Sequence, residues 1–330
     1  MKAILSQLFA HNTLDRQTAC DTLLQIAQGA YNPTQVASFI TVYQMRPISL
    51  QELLGFRDAL LQLCIQPPIS GTGVIDIVGT GGDGKNTFNI STLTAIVVAG
   101  AGYKVVKHGN YGVSSGVGSS NVLEELGYSF TNDGETLARQ LENAGVCFLH
   151  APLFHPALKE VAPVRKQLGM KTFFNMLGPL VNPVQPEYNL FGTFSQELCR
   201  LYQYAMQESG RRFSIIYALD GYDEISLTGR CKLRTNDAEY LLSAADFGMP
   251  PVAPEQLHGG DTAREAAVIF TNVLNNRAEP AQTNVVIANA AAAIHCIKPA
   301  VSLVDCAAEA RESLARGNAL KVLTTLLNKP

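Results

Sequence analysis

A chain of 330 residues, 47% apolar and only 16% charged, describes a globular protein with a large core, and its length favours two subdomains over one. Its net charge of −3 gives no general electrostatic reason to bind nucleic acid, and no apolar run approaches the roughly 20 residues that span a bilayer. Seven cysteines without C-x-x-C spacing read as small buried hydrophobes in a reducing compartment, and MKAILSQLFAHN is too short an apolar stretch for a signal peptide, so a soluble cytoplasmic protein is expected.

The first 65 residues carry helical periodicity. Ile4, Leu5, Leu8 and Phe9 form one apolar stripe, and Ala19, Leu23, Leu24 and Ala27 another. Asn32-Pro33-Thr34-Gln35 supplies an N-cap, a proline at the first helical position and a glutamine three residues past the cap. Ser49 and Glu52 form a second capping box ahead of Leu53, Phe56, Leu60 and Leu63. No catalytic cluster lies here. A small all-helical unit is expected, its exposed stripes available for dimerisation. Ile65-Gln66-Pro67-Pro68-Ile69-Ser70-Gly71 then breaks the helix and makes a linker.

Residues 74–127 carry the densest chemistry. A β-branched strand at 74–78 runs into Gly79, Gly81, Gly82 and Gly84, after which Asn89, Ser91 and Thr92 open an apolar helix at 93–99. Strand, glycine turn and helix start together present backbone N–H groups and a positive dipole end to an anion, and glycine lets the backbone approach phosphate closely. Gly79, Gly81 and Gly84 also satisfy G-x-G-x-x-G, the dinucleotide fingerprint. That fingerprint expects an acidic residue at the end of the next strand to hold the ribose. The strand at 103–106 leads instead into Lys107, His108, Gly109 and Asn110, a cation and a polar cluster suited to more phosphate. Asp83 would crowd a bare pyrophosphate unless it meets a hydroxyl or a metal, so the dinucleotide reading loses. A second polar turn at 111–120 adds Ser114, Ser115, Ser119 and Ser120 before a helical pattern at 122–126. In a parallel sheet both turns lie at the carboxyl ends of neighbouring strands, where open α/β sheets bind ligands.

A helix at 131–144 and a strand at 146–149 follow, leading into His150-Ala151-Pro152. A lone histidine is more often a satisfied structural group than a catalyst, and His150 is read that way. His155 precedes a helix bearing Lys159, Arg165 and Lys166; on its own, Arg165 reads as a surface residue. The proline-punctuated segment 175–183 has few polar groups and suits a hinge or wall. From Tyr188 the α/β rhythm resumes, and a strand at 213–218 ends in Asp220-Gly221-Tyr222-Asp223-Glu224. Such a turn is often merely solvated. A pyrophosphate cradle, however, needs divalent cations, and magnesium binds through one or two carboxylates plus substrate phosphates. Asp223 and Glu224 suit that role, with the Ser91 hydroxyl contributing; Asp220 suits it less. The C-terminal third reads as scaffold: apolar helices at 266–274 and 284–297, His295 and Cys296 in the core, a surface excursion at 243–260, and a helix capped by Ser302.

At this point GTGGD at 79–83, NIST at 89–92, KHGN at 107–110, VSS at 113–115, HAPLFHPALKEVAPVR at 150–165, NMLGPLVNP at 175–183 and DGYDEIS at 220–226 resemble, in order and along nearly the whole chain, the motifs of the anthranilate phosphoribosyltransferases. The resemblance implies an α/β fold of the nucleoside phosphorylase/phosphoribosyltransferase type, with a mostly parallel central sheet flanked by helices and a small all-helical domain. It implies a discontinuous chain path: residues 1–66 joined by helices from about 165–184 as the small domain, and 74–164 with 185–330 as the large one. It implies transfer of the 5-phosphoribosyl group from phosphoribosyl pyrophosphate to anthranilate, in tryptophan biosynthesis, by a magnesium-dependent homodimer joined through the helical domain, with two ions.

Carried over residue by residue, the resemblance assigns phosphoribosyl pyrophosphate to Gly79, Gly82, Asp83, Thr87, Asn89, Ile90, Ser91, Thr92, Lys107, Gly109, Asn110, Ser114, Ser115 and Ser119, and metal to Ser91, Asp223 and Glu224. Anthranilate falls to Gly79, His108, Asn110, Pro152, His155 and Arg165, the last as a planar partner for its carboxylate. No general acid or base is assigned, because an aromatic amine is already uncharged at neutral pH. The chain departs from the pattern at Tyr111, where the family usually has arginine, at Gly112, often alanine, and at Asn121, commonly aspartate. Two other classes stand beside this one. A pyrimidine nucleoside phosphorylase of the same fold would replace the anthranilate pocket with a phosphate site. A non-catalytic nucleic-acid-binding relative would need a basic face and degraded metal carboxylates.

Overall fold

The computed structural model describes residues 1–112 and 117–328. The chain divides into two compact units, 1–66 with 151–183 and 67–150 with 184–330. The returning segment of the first, 151–183, is longer than the stretch of about 165–184 that the family resemblance implies.

The first unit is helical, with Lys2–Phe9, Arg16–Ala27, Pro33–Met45 and Leu50–Leu63 followed, on the return, by Leu158–Leu168 and Phe174–Leu177. Both expected capping boxes form: Asn32 with Gln35, and Ser49 with Glu52. Glu52 does more than cap. Wholly buried, it accepts the Leu14 N–H and pairs with Arg46. Burial opposes its charge, but Arg46 and the backbone donors hold its pKa below the ordinary carboxylate value. Phe39, Tyr43 and Phe56 pack edge to face, and Phe173, from the returning segment, stacks on Phe56 at 4.7 Å. Gly55 is required by close helix packing, since a Cβ there would lie 2.7 Å from that of Ala19.

The second unit is built on a seven-stranded sheet in the order β3-β2-β1-β4-β5-β6-β7. β1 (Val74–Gly79), β2 (Lys104–Gly109), β3 (Val146–His150), β4 (Tyr188–Gly192) and β5 (Arg212–Ala218) are parallel, while β6 (Cys231–Thr235) and β7 (Glu239–Leu242) add an antiparallel edge. The chain leaves β1 toward β2 and β3, then returns to the other side of β1 as β4. The carboxyl ends of β1 and β4 therefore flank the topological switch point, where ligands of such sheets bind.

Helices Ile90–Gly100 and Pro280–Ile297 are buried almost all round, the second through Ala288 and Ala290 to Ala293. Among the described residues no helix is long and apolar enough to cross a membrane. The acidic turn is not merely solvated, because Asp223 is only 6% exposed. Two expectations need correction. β2 runs to Gly109 rather than ending at 106, so Lys107 and His108 lie in the strand and are buried. The segment 243–260 is not a surface excursion, because Phe247, Met249, Val252 and Leu257 belong to the core.

Candidate active site

Gly81, Gly82 and Gly84 all take positive φ, so the loop after β1 turns in a way side chains resist. The Gly81 N–H donates to Asp223 Oδ2 at 2.7 Å, and Asp83 Oδ1 accepts the Lys85 N–H at 3.1 Å. The segment misread as a surface excursion braces this loop: the Phe88 N–H donates to the Leu257 carbonyl at 3.0 Å, the Gly259 N–H to that of Asn86 at 2.9 Å, and Thr87 bridges His258. Asn89 precedes the Ile90–Gly100 helix and donates through Nδ2 to the Val117 carbonyl at 3.3 Å. Ile90 and Thr92 are wholly buried. The Ser91 N–H, in the first turn, donates to Glu224 Oε1 at 2.9 Å, so the positive end of this helix holds a carboxylate.

Lys107, 2% exposed, reaches back under the loop to the Ile77 carbonyl and to Ser91 Oγ at 3.3 Å. Burial lowers its pKa, while the charges of Asp76, Glu224 and Asp223 oppose that shift. It is an internal cation beneath the acidic pair, not an exposed phosphate clamp. The buried Asp76 accepts the His108 N–H at 3.2 Å. Asn110 is exposed, and its carbonyl accepts from Ser119 Oγ at 3.0 Å, which closes the base of the second polar turn. A Cβ on Gly109 would lie 2.8 Å from that hydroxyl. Tyr111 points its hydroxyl to Glu124 at 2.8 Å and packs edge-on against His150. Asn121 Oδ1 accepts from Gly112 and Gly118, a turn-holding role that an amide fills as well as a carboxylate would. His150 Nδ1 pairs with the Ser120 hydroxyl, as befits a structural histidine. Ser114 and Ser115 lie outside the described residues.

The acidic turn closes the site. Asp220 is exposed and bonded to Thr228, away from the pair. Asp223 and Glu224 turn inward. Burial, then the charge of Asp83, pushes Asp223 up to about 7; burial, then Asp223 and Asp83, raises Glu224 well above its ordinary value. Three carboxyl groups facing one another, with Lys107 below, form an all-oxygen array short of positive charge, which fits a hard divalent cation. Among the described residues no three His, Cys, Asp or Glu side chains form a ready-made cage.

In the helical unit, Pro152 is exposed, while His155 is buried, and burial lowers its pKa to about 4, so its imidazole is neutral. Arg165 is half-buried: its guanidinium lies 5.2 Å over the Phe174 ring and donates to Asn175 Oδ1 at 3.4 Å. Burial lowers its pKa. Among the described residues no carboxylate pairs with it, and a partly desolvated arginine so placed is poised to take an anion.

Sequence reasoning missed three supports. Asn289 clamps Ile225, accepting its N–H at 3.0 Å and donating to its carbonyl at 2.8 Å, and so pins the acidic turn. Its signal was the single amide in the buried, alanine-rich stretch 285–294 of its helix. Asp76, under β2, was legible only as a polar residue in an apolar strand. Gly192 carried no signal at all.

Residues 71–320 match the family described as glycosyl transferase family, a/b domain, and residues 2–64 match its helical bundle domain. The anthranilate phosphoribosyltransferase of Cytophaga hutchinsonii is 55% identical over 319 residues, 97% of either chain, and that of Bacteroides thetaiotaomicron is 53% identical over 323 residues, 98% of this chain and 97% of the relative. Among solved structures, anthranilate phosphoribosyltransferase from Thermus thermophilus superposes with a TM-score of 0.90 at 31% identity, covering 98% of each chain. The Saccharomyces cerevisiae enzyme in complex with PRPP and Mg also gives 0.90, at 27% identity, covering 98% of this chain and 95% of that one.

Proposed function

This chain belongs to the anthranilate phosphoribosyltransferases of the glycosyl transferase family, and from that premise we propose how its residues serve the reaction. It is a pentosyltransferase. It moves the 5-phosphoribosyl group from phosphoribosyl pyrophosphate to the amine of anthranilate and releases pyrophosphate, a step of tryptophan biosynthesis. The observation that carries the assignment to this site is the convergence of a glycine loop, a helix start and an inward acidic pair at the β1/β4 switch point.

Displacement at the anomeric carbon develops negative charge on the leaving pyrophosphate and positive charge on the ribose. The backbone of Gly82 and Asp83, the side chains of Thr87 and Asn89, and the start of the Ile90–Gly100 helix hold phosphate oxygens in place. Gly109, Asn110, Ser114, Ser115 and Ser119 of the second turn take the remaining polar edges. Asp223, Glu224 and the Ser91 hydroxyl hold magnesium, as two ions; when bound, it supplies the charge that neutralises the leaving group. Lys107 sits beneath the acidic pair and limits its mutual repulsion when the site is empty. For anthranilate, Arg165 receives the carboxylate, with Pro152 and the neutral His155 in the same helical unit; the Gly79 backbone, His108 and Asn110 are the contacts assigned to it on the α/β unit. No proton need leave the amine before attack, so the work is positioning and leaving-group stabilisation.

Pyrophosphate release tests the assignment. It should require phosphoribosyl pyrophosphate, anthranilate and magnesium together. Release without anthranilate, or phosphorolysis of a pyrimidine nucleoside in its place, would contradict it.

A further inference from the structure

Gly79 ends β1 and Gly192 ends β4, and the two are direct partners across the parallel pair. Neither takes a positive φ, so glycine is not there for backbone freedom. What each position requires is the absence of a side chain, and in both cases the space is filled by the same residue. A Cβ on Gly79 would lie 3.1 Å from the Asp223 carboxyl carbon and closer still to its Oδ2; a Cβ on Gly192 would lie 2.7 Å from the Asp223 carbonyl carbon and overlap its oxygen. The backbone of Asp223 therefore rests on the end of β4, while its carboxylate crosses to β1 and accepts the Gly81 N–H at 2.7 Å. The strand ends are locked at the same point, since the Thr80 N–H donates to the Gly192 carbonyl at 2.9 Å.

We infer that Gly192, paired with Gly79, is a positioning residue for the metal site: the bare ends of β1 and β4 form a seat that fixes the height and direction of the Asp223 carboxylate. Gly192 touches neither substrate nor reacting atoms; it acts through Asp223. The inference rests on the proposed metal role of Asp223. A seat of this kind matters because carboxylate–metal geometry tolerates little displacement and is set by what lies behind the ligand.

The test titrates Mn²⁺ into the protein with phosphoribosyl pyrophosphate and no anthranilate, following free Mn²⁺ by electron paramagnetic resonance, for wild type, Asp223→Asn, Gly192→Ala and Gly79→Ala. Gly192→Ala, folded by near-UV circular dichroism, should weaken Mn²⁺ binding about tenfold, as Asp223→Asn does, a step of about 1.4 kcal/mol. The KM for anthranilate at saturating metal should move little. If Asp223→Asn binds Mn²⁺ as wild type does, the metal assignment fails and the seat fails with it. If Asp223→Asn is weakened but folded Gly192→Ala is not, the seat alone is overturned. Should Gly192→Ala not fold, Gly79→Ala decides, because the three atoms nearest its added methyl all belong to the Asp223 side chain rather than to backbone. It should weaken Mn²⁺ binding in the wild-type background and cost nothing further in Asp223→Ala. A further loss in that background would overturn the inference.

Discussion

Two carboxylates packed together at the end of the sheet are costly to ionise even with a lysine beneath them, and burial and mutual charge raise the pKa of both Asp223 and Glu224. Because the folded pKa of Asp223 lies at about 7, above its unfolded value, the stability this group contributes is present at low pH and lost as pH rises from about 4 to about 7. Asp223→Asn with Glu224→Gln should therefore leave the metal-free protein melting no lower than wild type at pH 8, while raising the magnesium needed for half-maximal rate by an order of magnitude or more. Wild-type turnover by the double variant at limiting magnesium would remove these residues from the site. His155 works with the opposite sign. Its pKa is depressed to about 4, so its neutral form is favoured in the fold, and stability is lost as pH falls below about 6.5. Urea unfolding across that range should show wild type losing up to about 3 kcal/mol relative to His155→Asn. Arg165→Ala should weaken use of anthranilate by one to two decades, about 1.5–3 kcal/mol, and leave phosphoribosyl pyrophosphate binding nearly unchanged; Arg165→Lys should recover part. Separate calorimetric titrations of the two substrates distinguish that from a general folding defect.

At the scale of elements, what was legible was local. The Asn32 and Ser49 capping boxes lie within four residues of sequence, and both form as read. The glycine loop and the helix after it were legible for the same reason. What failed depended on distant partners. The 243–260 segment is rich in glycine and proline and reads as excursion, yet Leu257 and Gly259 hydrogen-bond the phosphate loop from about 170 residues away. β2 continues through Lys107 because Asp76 and Ile77, on the neighbouring strand, give its polar residues partners. The Pro280–Ile297 helix reads as scaffold by its alanines, while Asn289 makes it the clamp of the acidic turn. Asn289→Ala leaves the buried N–H and carbonyl of Ile225 unpaired. It should cost about 1–3 kcal/mol in denaturant unfolding and raise the magnesium requirement, whereas an alanine change at exposed Asn328 should do neither.

At the scale of the molecule, two subdomains were expected from length, and the path of the chain between them only from the family resemblance; no periodicity marks where a helical unit resumes after an interruption of more than 80 residues. The helical unit exposes Phe9 at 61% and Met45 at 84%, large apolar side chains that a dimer would cover. Light scattering should give twice the mass of the 35.5 kDa chain, and Phe9→Asp with Met45→Asp should shift it toward one copy without loss of helicity. An unshifted mass would move the interface elsewhere. The central claim concerns the reaction itself, and the fluorescence of anthranilate reports it directly. On mixing the protein with phosphoribosyl pyrophosphate, magnesium and anthranilate, that fluorescence should fall continuously, and it should not fall when magnesium is chelated. Unchanged fluorescence with all components present and the protein folded would contradict the account.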